Sequence, residues 1–441
     1  MSQPNKDQRS PEDIDFKVKA NPKAFHKFNG KFQRVLRDHE DDFNILSISM
    51  QDHFDTTKQP KEEFGKKMDW CYQLKNIISK NNPTWLFNIV PTGSTVTGLA
   101  TKNSDLDVAI HIPQAARVLE QEERGRNITD DERQASWREI QLEILQIVRL
   151  NLQNDEQINS RINWEHGIQL VQAQIQILKV MTVDGIDCDI SVVMDRFLSS
   201  MHNSFLIRHL AHIDGRFAPL CAIVKQWAAS TKVKDPKDGG FNSYALVLLV
   251  IHFLQCGTFP PILPNLQEIF KKDNFIAWDD KVYPSILNFG APLPKPLPRI
   301  APNNAPLARL FIEFLYYYSM FNFKENYIGA RPVMVMDRRT SQNNMVRSST
   351  NKEVCIQDPF DEHNPGRTVR TLNRIKDVMR STYQKFLPVE GSEFTFPTLD
   401  DIINMSPEVP KPSRAEVRNF RAEATEVNRV GLGVYCRNSF V

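Results

Sequence analysis

No stretch of this chain is apolar for long enough to cross a bilayer. The longest run, Tyr244–Leu254, is too short and carries His252, so it reads as a helix buried on all sides and membrane insertion is excluded. The first residues, MSQPNKDQRSPEDIDF, lack the apolar stretch of a signal peptide, which argues against secretion. The six cysteines (Cys71, Cys188, Cys221, Cys256, Cys355 and Cys436) form neither a CxxC pair nor a Cys/His cluster. That pattern excludes a zinc knuckle and suits reduced thiols in the cytosol or nucleus. Net charge is also nearly missing, at +2. A protein that grips long RNA through many phosphates is more basic, so any nucleic-acid contact is a local patch or is supplied by a partner.

What is present is enough apolar residue for a large core, 41% of 441 residues, and length for two or three domains. Residues 1–20 are polar and read as disordered. From about Phe25 to Lys80 apolar residues recur at helical spacing: Ile45 and Ile48, then Trp70, Leu74, Ile77 and Ile78. Strands are expected at Trp85–Val90, Leu106–Ile112, about Gln169–Met181 and Ile186–Val193, with a long charged helix over Asp130–Asn154. Asp184-Gly185 marks a hairpin turn, because glycine accepts the positive φ that a tight turn needs. Beyond Phe197 the pattern is helical over Phe205–Ile213, Leu220–Ser230 and Ser243–Gln255. Helices are expected again at Leu307–Met320 and Thr368–Phe386. Prolines crowd residues 257–306, which predicts an extended connection, and no structure is assigned to the tail from 389.

The chemistry concentrates in Gly93-Ser94, ten residues, then Asp105-Leu106-Asp107. A glycine turn can aim backbone N–H groups at a phosphate, and a serine hydroxyl can donate to it. Two aspartates two apart on a strand emerge on one face, a hard oxygen set suited to Mg²⁺ together with substrate phosphates. A third carboxylate on a neighbouring strand would complete a two-metal site. The hairpin ending Gly185-Ile186-Asp187-Cys188-Asp189-Ile190-Ser191 offers Asp187 and Asp189, and spacing alone does not choose between them. Asp-x-Asp alone is as readily a solvated strand end. Turn, paired carboxylates, helix and hairpin in this order leave that bland reading roughly one chance in twenty.

GSTVTGLATKNSDLDVAI resembles the active-site signature of the DNA polymerase β-like nucleotidyltransferases, and the likeness runs from about Trp70 to Thr368. It is similar in particular to the noncanonical poly(A) polymerases and terminal uridylyltransferases of RNA. Further blocks match in the same order: Asn203-Ser204, Ile213–Arg216, Val224–Ala228, Asn242-Ser243-Tyr244, Pro260–Gln267 and Ile356–Arg367. Length and this combination look closest to the nematode RNA-silencing branch that builds poly(UG) tails.

The resemblance implies a set of roles. Asp189, directly before Ile-Ser, would be the third metal ligand beside Asp105 and Asp107, and Mg²⁺ the cofactor with Mn²⁺ as a substitute. Lys225 would hold the triphosphate, although a lysine among apolar neighbours can equally snorkel to solvent. Ser243 would bind phosphate, although a serine at a helix start is often only a cap. Tyr244 would stack on the incoming base and Asn203 would sense the ribose 2′-hydroxyl. His363 would contact the base and crowd out adenine, as in uridylyl-adding relatives, and Asp358 could accept a base N–H. By itself a histidine in a polar loop is surface decoration. This chain also departs from the family. Ala229 replaces a second lysine, a loss that Lys232 could offset; Asn242 replaces a serine; and the loop from Phe360 to His363 is one residue short and followed by Pro365.

The expected fold is α+β and two-lobed, with a mixed β-sheet catalytic lobe and a mainly helical PAP-associated lobe. The expected segments are 1–20, N-terminal helices 21–64, catalytic domain 65–196, helical domain 197–388 and tail 389–441, with NTP in the cleft between lobes. The expected reaction adds UMP, together with GMP, to an RNA 3′ end from UTP and GTP. It would take place in the cytoplasm or in perinuclear silencing granules, with the nucleus not excluded, and with a protein partner that recruits RNA. The rivals are a poly(A)-adding enzyme and a catalytically silent scaffold of a silencing complex. Three intact aspartates argue against the scaffold.

Overall fold

The computed structural model describes residues 30–405, with breaks within 114–128 and at 173–175, 195–198, 271–289, 291, 299–300, 331–332, 362, 390 and 392. The expectations for 1–20, for 406–441, for Cys436 and for part of the proline-rich segment lie outside these residues. The chain divides into two compact units. A sheet unit holds 57–212 and 270–294; a helical unit holds 1–56, 213–269 and 295–441.

In the sheet unit, β1 (Asn88–Thr92), β2 (Leu106–His111), β3 (Ile168–Val171), β4 (Ile177–Met181) and β5 (Asp187–Val193) form one mixed sheet in the order β1-β2-β5-β4-β3. Only β2 and β5 run parallel; the other neighbours are antiparallel. The alternation of residues fixes the two faces. Leu106, Val108, Ile110, Leu178, Val180, Cys188, Ile190 and Val192 are buried on one side. They share a core with Trp70, Leu74, Ile77 and Ile78 of the helix Lys61–Asn81 and with Leu145, Val148 and Leu152 of the helix Asp130–Asn154. The latter helix starts where Thr129 and Glu132 form a reciprocal capping box. The odd-numbered residues Asp107, Lys179, Asp187 and Asp189 remain half-buried on these strands.

The single strand expected near Gln169–Met181 is in fact two antiparallel strands, with Val171 paired to Ile177. The sequence hid the reversal because Gln172 to Gln176 alternates like a strand and holds no Gly, Pro, Asn or Asp. β1 also begins at Asn88 rather than Trp85, and the helix expected from Phe205 begins at Ser199.

The helical unit packs Phe217–Ser230, Ser243–His252, Leu307–Met320 and Leu372–Gln384 with the N-terminal helices Gly30–Asp38 and Glu40–Thr57. Every residue of Ala245–His252 is buried, as the apolar run predicts. Its α-helix yields to a π turn over Phe253–Gly257 instead of continuing to Gln255. Trp227 donates from Nε1 to Thr382 Oγ1 at 3.0 Å, so two distant helices share a buried polar contact. Ile45 and Ile48 are 62% and 61% exposed; the stripe that packs is Phe43, Leu46, Met50 and Phe54. Both sets have helical spacing, and the one carrying phenylalanines wins because Phe43 meets Phe386 and Phe396. A hairpin of β6 (Asn326–Ala330) and β7 (Val333–Asp337) was not expected, nor was a helix at Leu399–Ile403 in the tail, opened by a Thr398–Asp401 capping box.

The fold is thus α+β, with a mixed five-stranded sheet in one unit and a mainly helical second unit. No helix among the described residues is long and apolar enough to cross a membrane.

Candidate active site

The acidic residues sit at the ends of β2 and β5. Parallel register pairs Asp107 with Asp189, and Asp105 lies just before β2 begins. Asp187 is on the same face as Asp189 but pairs with Met181 of β4. Burial raises the Asp107 carboxyl to about 6, helped by the charges of Asp189 and Asp105. Burial also raises Asp105, with Asp187 and Asp189 adding to it. These carboxylates repel one another, and the groups opposing that repulsion are Lys179 and Lys67. Lys179 Nζ is 2.7 Å from Asp189 Oδ1 and 3.7 Å from Asp187 Oδ1. Lys67 is almost wholly buried; it donates to Ser104 O at 2.6 Å and Gln59 Oε1 at 2.7 Å, and pairs with Glu63 at 2.8 Å. An all-oxygen set of carboxylates gathered at strand ends, under mutual repulsion, suits a hard divalent cation. The carboxylates that could hold one are Asp105, Asp107, Asp187 and Asp189.

Gly93 follows β1 with φ +69°. A Cβ there would stand within 2.0 Å of Asp107 Oδ2, so the glycine is required by close approach of the carboxylate as well as by backbone conformation. Its N–H donates to Ser204 Oγ at 2.9 Å, and Ser204 in turn donates to Ser200 O at 2.7 Å. The Gly93 amide expected to face a phosphate is therefore engaged within the protein. Ser94 is half-buried and opens the short helix Ser94–Thr97. Asn203 is buried beside Ser204 in Ser199–Ala211, and Arg208 of that helix donates to Val96 O at 2.7 Å.

The remaining candidates lie in the helical unit. Lys225 is half-buried in Phe217–Ser230, and burial lowers its pKa; Cys221 opposes the shift and Lys234 adds to it. Ser243 is exposed as the first residue of its helix. The cap is Asn242, whose Oδ1 accepts from Ala245 N at 2.8 Å and whose Nδ2 donates to Pro365 O at 3.1 Å. That second bond is one a serine could not make in the same way, which accounts for the departure at 242.

Tyr244 donates its hydroxyl to Asp358 Oδ2 at 2.7 Å. Asp358, expected at a base edge, is fully buried, and its Oδ1 accepts from the N–H groups of Phe360 (2.8 Å) and Asp361 (3.2 Å). It organises the loop from within. The strand β6 supports this stretch, since Gln357 N donates to Ile328 O at 2.9 Å. His363 is partly exposed, with Nδ1 2.5 Å from Asp361 Oδ1 and 3.8 Å from Asp358 Oδ2. Ligand atoms of Asp358, Asp361 and His363 come within 4.8 Å of one another, but N–H and O–H donors of the protein already engage them. Pro365 opens a 3-10 turn, Pro365–Thr368, capped by Asn364, a position where a missing N–H costs nothing.

Lys179, Lys67 and Asp361 were not singled out from the sequence, and Ser204 was noted there only as part of the Asn203-Ser204 block. Lys179 had a usable signal: it occupies the alternate position on the strand that the hairpin turns back onto β5.

Two family models match the chain. One is the central palm domain of mitochondrial-like poly(A) RNA polymerase, over residues 46–211. The other is the Cid1 family poly A polymerase model, over residues 306–364. Among curated relatives, the poly(A) RNA polymerase gld-2 homolog A of Drosophila melanogaster is 26% identical over 352 residues, covering 77% of this chain and 23% of the relative. The poly(A) RNA polymerase GLD2 of Bos taurus is 30% identical over 348 residues, covering 77% of this chain and 63% of the relative. The chain spans less than two thirds of the length of the curated relatives it matches. Among solved structures, the GLD-2/RNP-8 complex superposes with a TM-score of 0.62 at 23% identity, covering 82% of this chain and 99% of that chain. The Cid1 poly(U) polymerase bound to MgGTP gives 0.56 at 21% identity, covering 82% and 98%. At those identities the structures speak for the fold alone.

Proposed function

We infer the reaction from the family: the chain belongs to the noncanonical poly(A) polymerase and terminal uridylyltransferase family, and we propose that it adds ribonucleotides to RNA 3′ ends without a template. The observation that carries this reading is the pairing of Asp107 with Asp189 across β2 and β5, with Asp105 beside them. Divalent cations, Mg²⁺ or Mn²⁺ in its place, would supply neutralisation of phosphate charge when bound. Asp105, Asp107 and Asp189 would hold them. The RNA 3′ oxygen bonds to the α-phosphorus of an NTP while the bond to the bridging oxygen breaks. The hydroxyl proton passes to Asp189, and pyrophosphate leaves.

Gly93 and Ser94 belong to this set, the first by keeping Asp107 in place and the second by offering a hydroxyl to phosphate. Asn203 reads the ribose, Lys225 and Ser243 bind the triphosphate, and Tyr244 stacks on the base. Asp358 holds Tyr244 and the loop that presents His363. Lys225, with a lowered pKa, loses less hydration than an exposed lysine on meeting a phosphate.

We further propose UTP and GTP as the substrates, in cytoplasmic RNA silencing, with a protein partner that brings the RNA. A partly exposed His363 supports the base choice. Net charge of +2 supports recruitment by a partner, as does the similar GLD-2 structure, which is that of a GLD-2/RNP-8 complex. The curated relatives named as poly(A) polymerases favour a second reading, addition of AMP. Sequencing the 3′ ends of a defined RNA after incubation with the protein and all four NTPs separates the two. Tails of U and G support the first reading, tails of A the second, and no addition even to a tethered RNA sinks both.

A further inference from the structure

The loop after Phe360 contains a contact that the base-choice reading does not use. Asp361 Oδ1 accepts from the backbone N–H of His363 at 2.9 Å and also lies 2.5 Å from the ring Nδ1. A carboxylate oxygen has no proton to give, so the proton in that second contact belongs to Nδ1. The loop geometry makes this clamp possible. Asp358 ties the N–H groups of Phe360 and Asp361, its own N–H closes onto His363 O at 3.4 Å, and Asp361 is left only two residues from the ring.

We infer that Asp361 is the positioning residue of this subsite: it takes the Nδ1 hydrogen bond of His363 and so fixes Nε2 as the atom offered to a nucleobase. The inference rests on the proposed role of His363 in base choice. The groups facing the ring are Asp361 and Asp358 of its own loop and Arg367 of the following turn, with the Tyr244 hydroxyl from the neighbouring helix bonded to Asp358. Burial alone would lower the His363 pKa. The Asp361 bond and the charges of Asp361 and Asp358 outweigh that burial and the opposing Arg367, so the net shift is upward.

The consequence is a base preference that depends on pH. With the ring protonated, Nε2–H donates to a carbonyl oxygen, which uracil and guanine carry where adenine and cytosine carry an amine. With the ring neutral, Nε2 accepts, and an amine becomes acceptable. Discrimination against ATP is therefore strongest at low pH and weakens as pH rises through the His363 pKa.

The test is competition between UTP and ATP on one RNA across pH, for the wild type, Asp361→Asn and His363→Asn, with ring ¹⁵N NMR of His363 alongside. Asparagine keeps an acceptor at 361 but removes the charge. In the wild type the UMP to AMP ratio should fall by about tenfold, the size of one mismatched hydrogen bond, as pH rises. In Asp361→Asn the fall should come at lower pH, and in His363→Asn the pH dependence should vanish. The NMR signal should report the Nδ1–H tautomer at high pH and a protonation midpoint that moves down in Asp361→Asn. If His363→Asn changes the ratio but Asp361→Asn leaves its midpoint in place, the clamp is overturned and the base reading stands. If the wild type prefers ATP at every pH, the base reading falls and takes the nucleobase role of the clamp with it. An Nε2–H tautomer overturns the clamp in either case.

Discussion

Lys179 and Asp189 stand opposite each other on adjacent antiparallel strands, with Nζ 2.7 Å from Oδ1. One ammonium thus answers several carboxylates, since Asp105 and Asp187 also act on the Lys179 charge. Burial would lower the Lys179 pKa, and the hydrogen bond and charges of these aspartates reverse that to a net rise.

Removing this charge should make the protein lean harder on metal. Lys179→Gln should unfold at lower temperature than wild type in EDTA and gain more from added Mg²⁺, because binding to the folded state alone is stabilising. Differential scanning fluorimetry with and without Mg²⁺ checks this. Equal gains in both proteins would mean that Lys179 does not balance the metal-binding carboxylates.

Asp105→Asn and Asp107→Asn are nearly isosteric and remove ligand charge, so each should lose tailing by at least about a thousandfold while circular dichroism is unchanged. Asp189→Ala should match them, and Asp187→Ala should keep substantial activity. Single-turnover extension of a labelled RNA measures all four. The opposite ranking of the two hairpin aspartates would move the third ligand to Asp187.

Gly93→Ala adds one carbon where Asp107 Oδ2 lies 2.0 Å away, in backbone that favours glycine. The expected result is a folded protein with activity lowered by about a hundredfold or more, since the carboxylate must move. Near-wild-type rates would show that Asp107 can shift without loss.

His252 lies in the helical core, its Nδ1 2.9 Å from Tyr318 Oη, and Tyr318 donates its own proton to Leu249 O at 2.8 Å. The ring is therefore the donor, and burial pushes its pKa down to about 3. An unfolded histidine titrates near about 6.5. Between those two values the unfolded chain binds the extra proton, so stability falls as pH drops from about 6.5 toward 3. Urea unfolding at several pH values should show that slope, and His252→Gln should lessen it. An unchanged slope would mean that other groups, such as His209, whose pKa burial lowers to about 4, account for acid sensitivity.

The carboxylates were readable because a strand period of two places Asp105, Asp107, Asp187 and Asp189 by counting alone. Register was harder. A two-residue turn on Asp184-Gly185 would set Lys179 opposite Ile190. Instead the chain closes a longer loop, with Gly185 N donating to Thr182 O and Thr182 N to Ile186 O, and Lys179 meets Asp189. A shift of one residue reverses every side chain, so the partner of the third aspartate depended on loop geometry that the residue types did not specify. Asp361 was missed for a similar reason: its importance follows from how Asp358 folds the loop. Ile45 and Ile48 misled because two faces of one helix carry apolar residues, and the choice between them lies with phenylalanines more than three hundred residues away.

The two units also differ in how their residues are strung along the chain. The five strands and their two covering helices fall within 57–212, so all of these elements have been made once that stretch has left the ribosome, although 270–294 joins the same unit later. The helix Leu307–Met320, buried along nearly its whole length, belongs to a unit assembled from three separate stretches. Phe43 waits for Phe386 and Phe396, and Trp227 waits for Thr382. During synthesis the helical half stays open until the last helices emerge, and a chain stopped before residue 372 would carry a finished sheet beside an unclosed core.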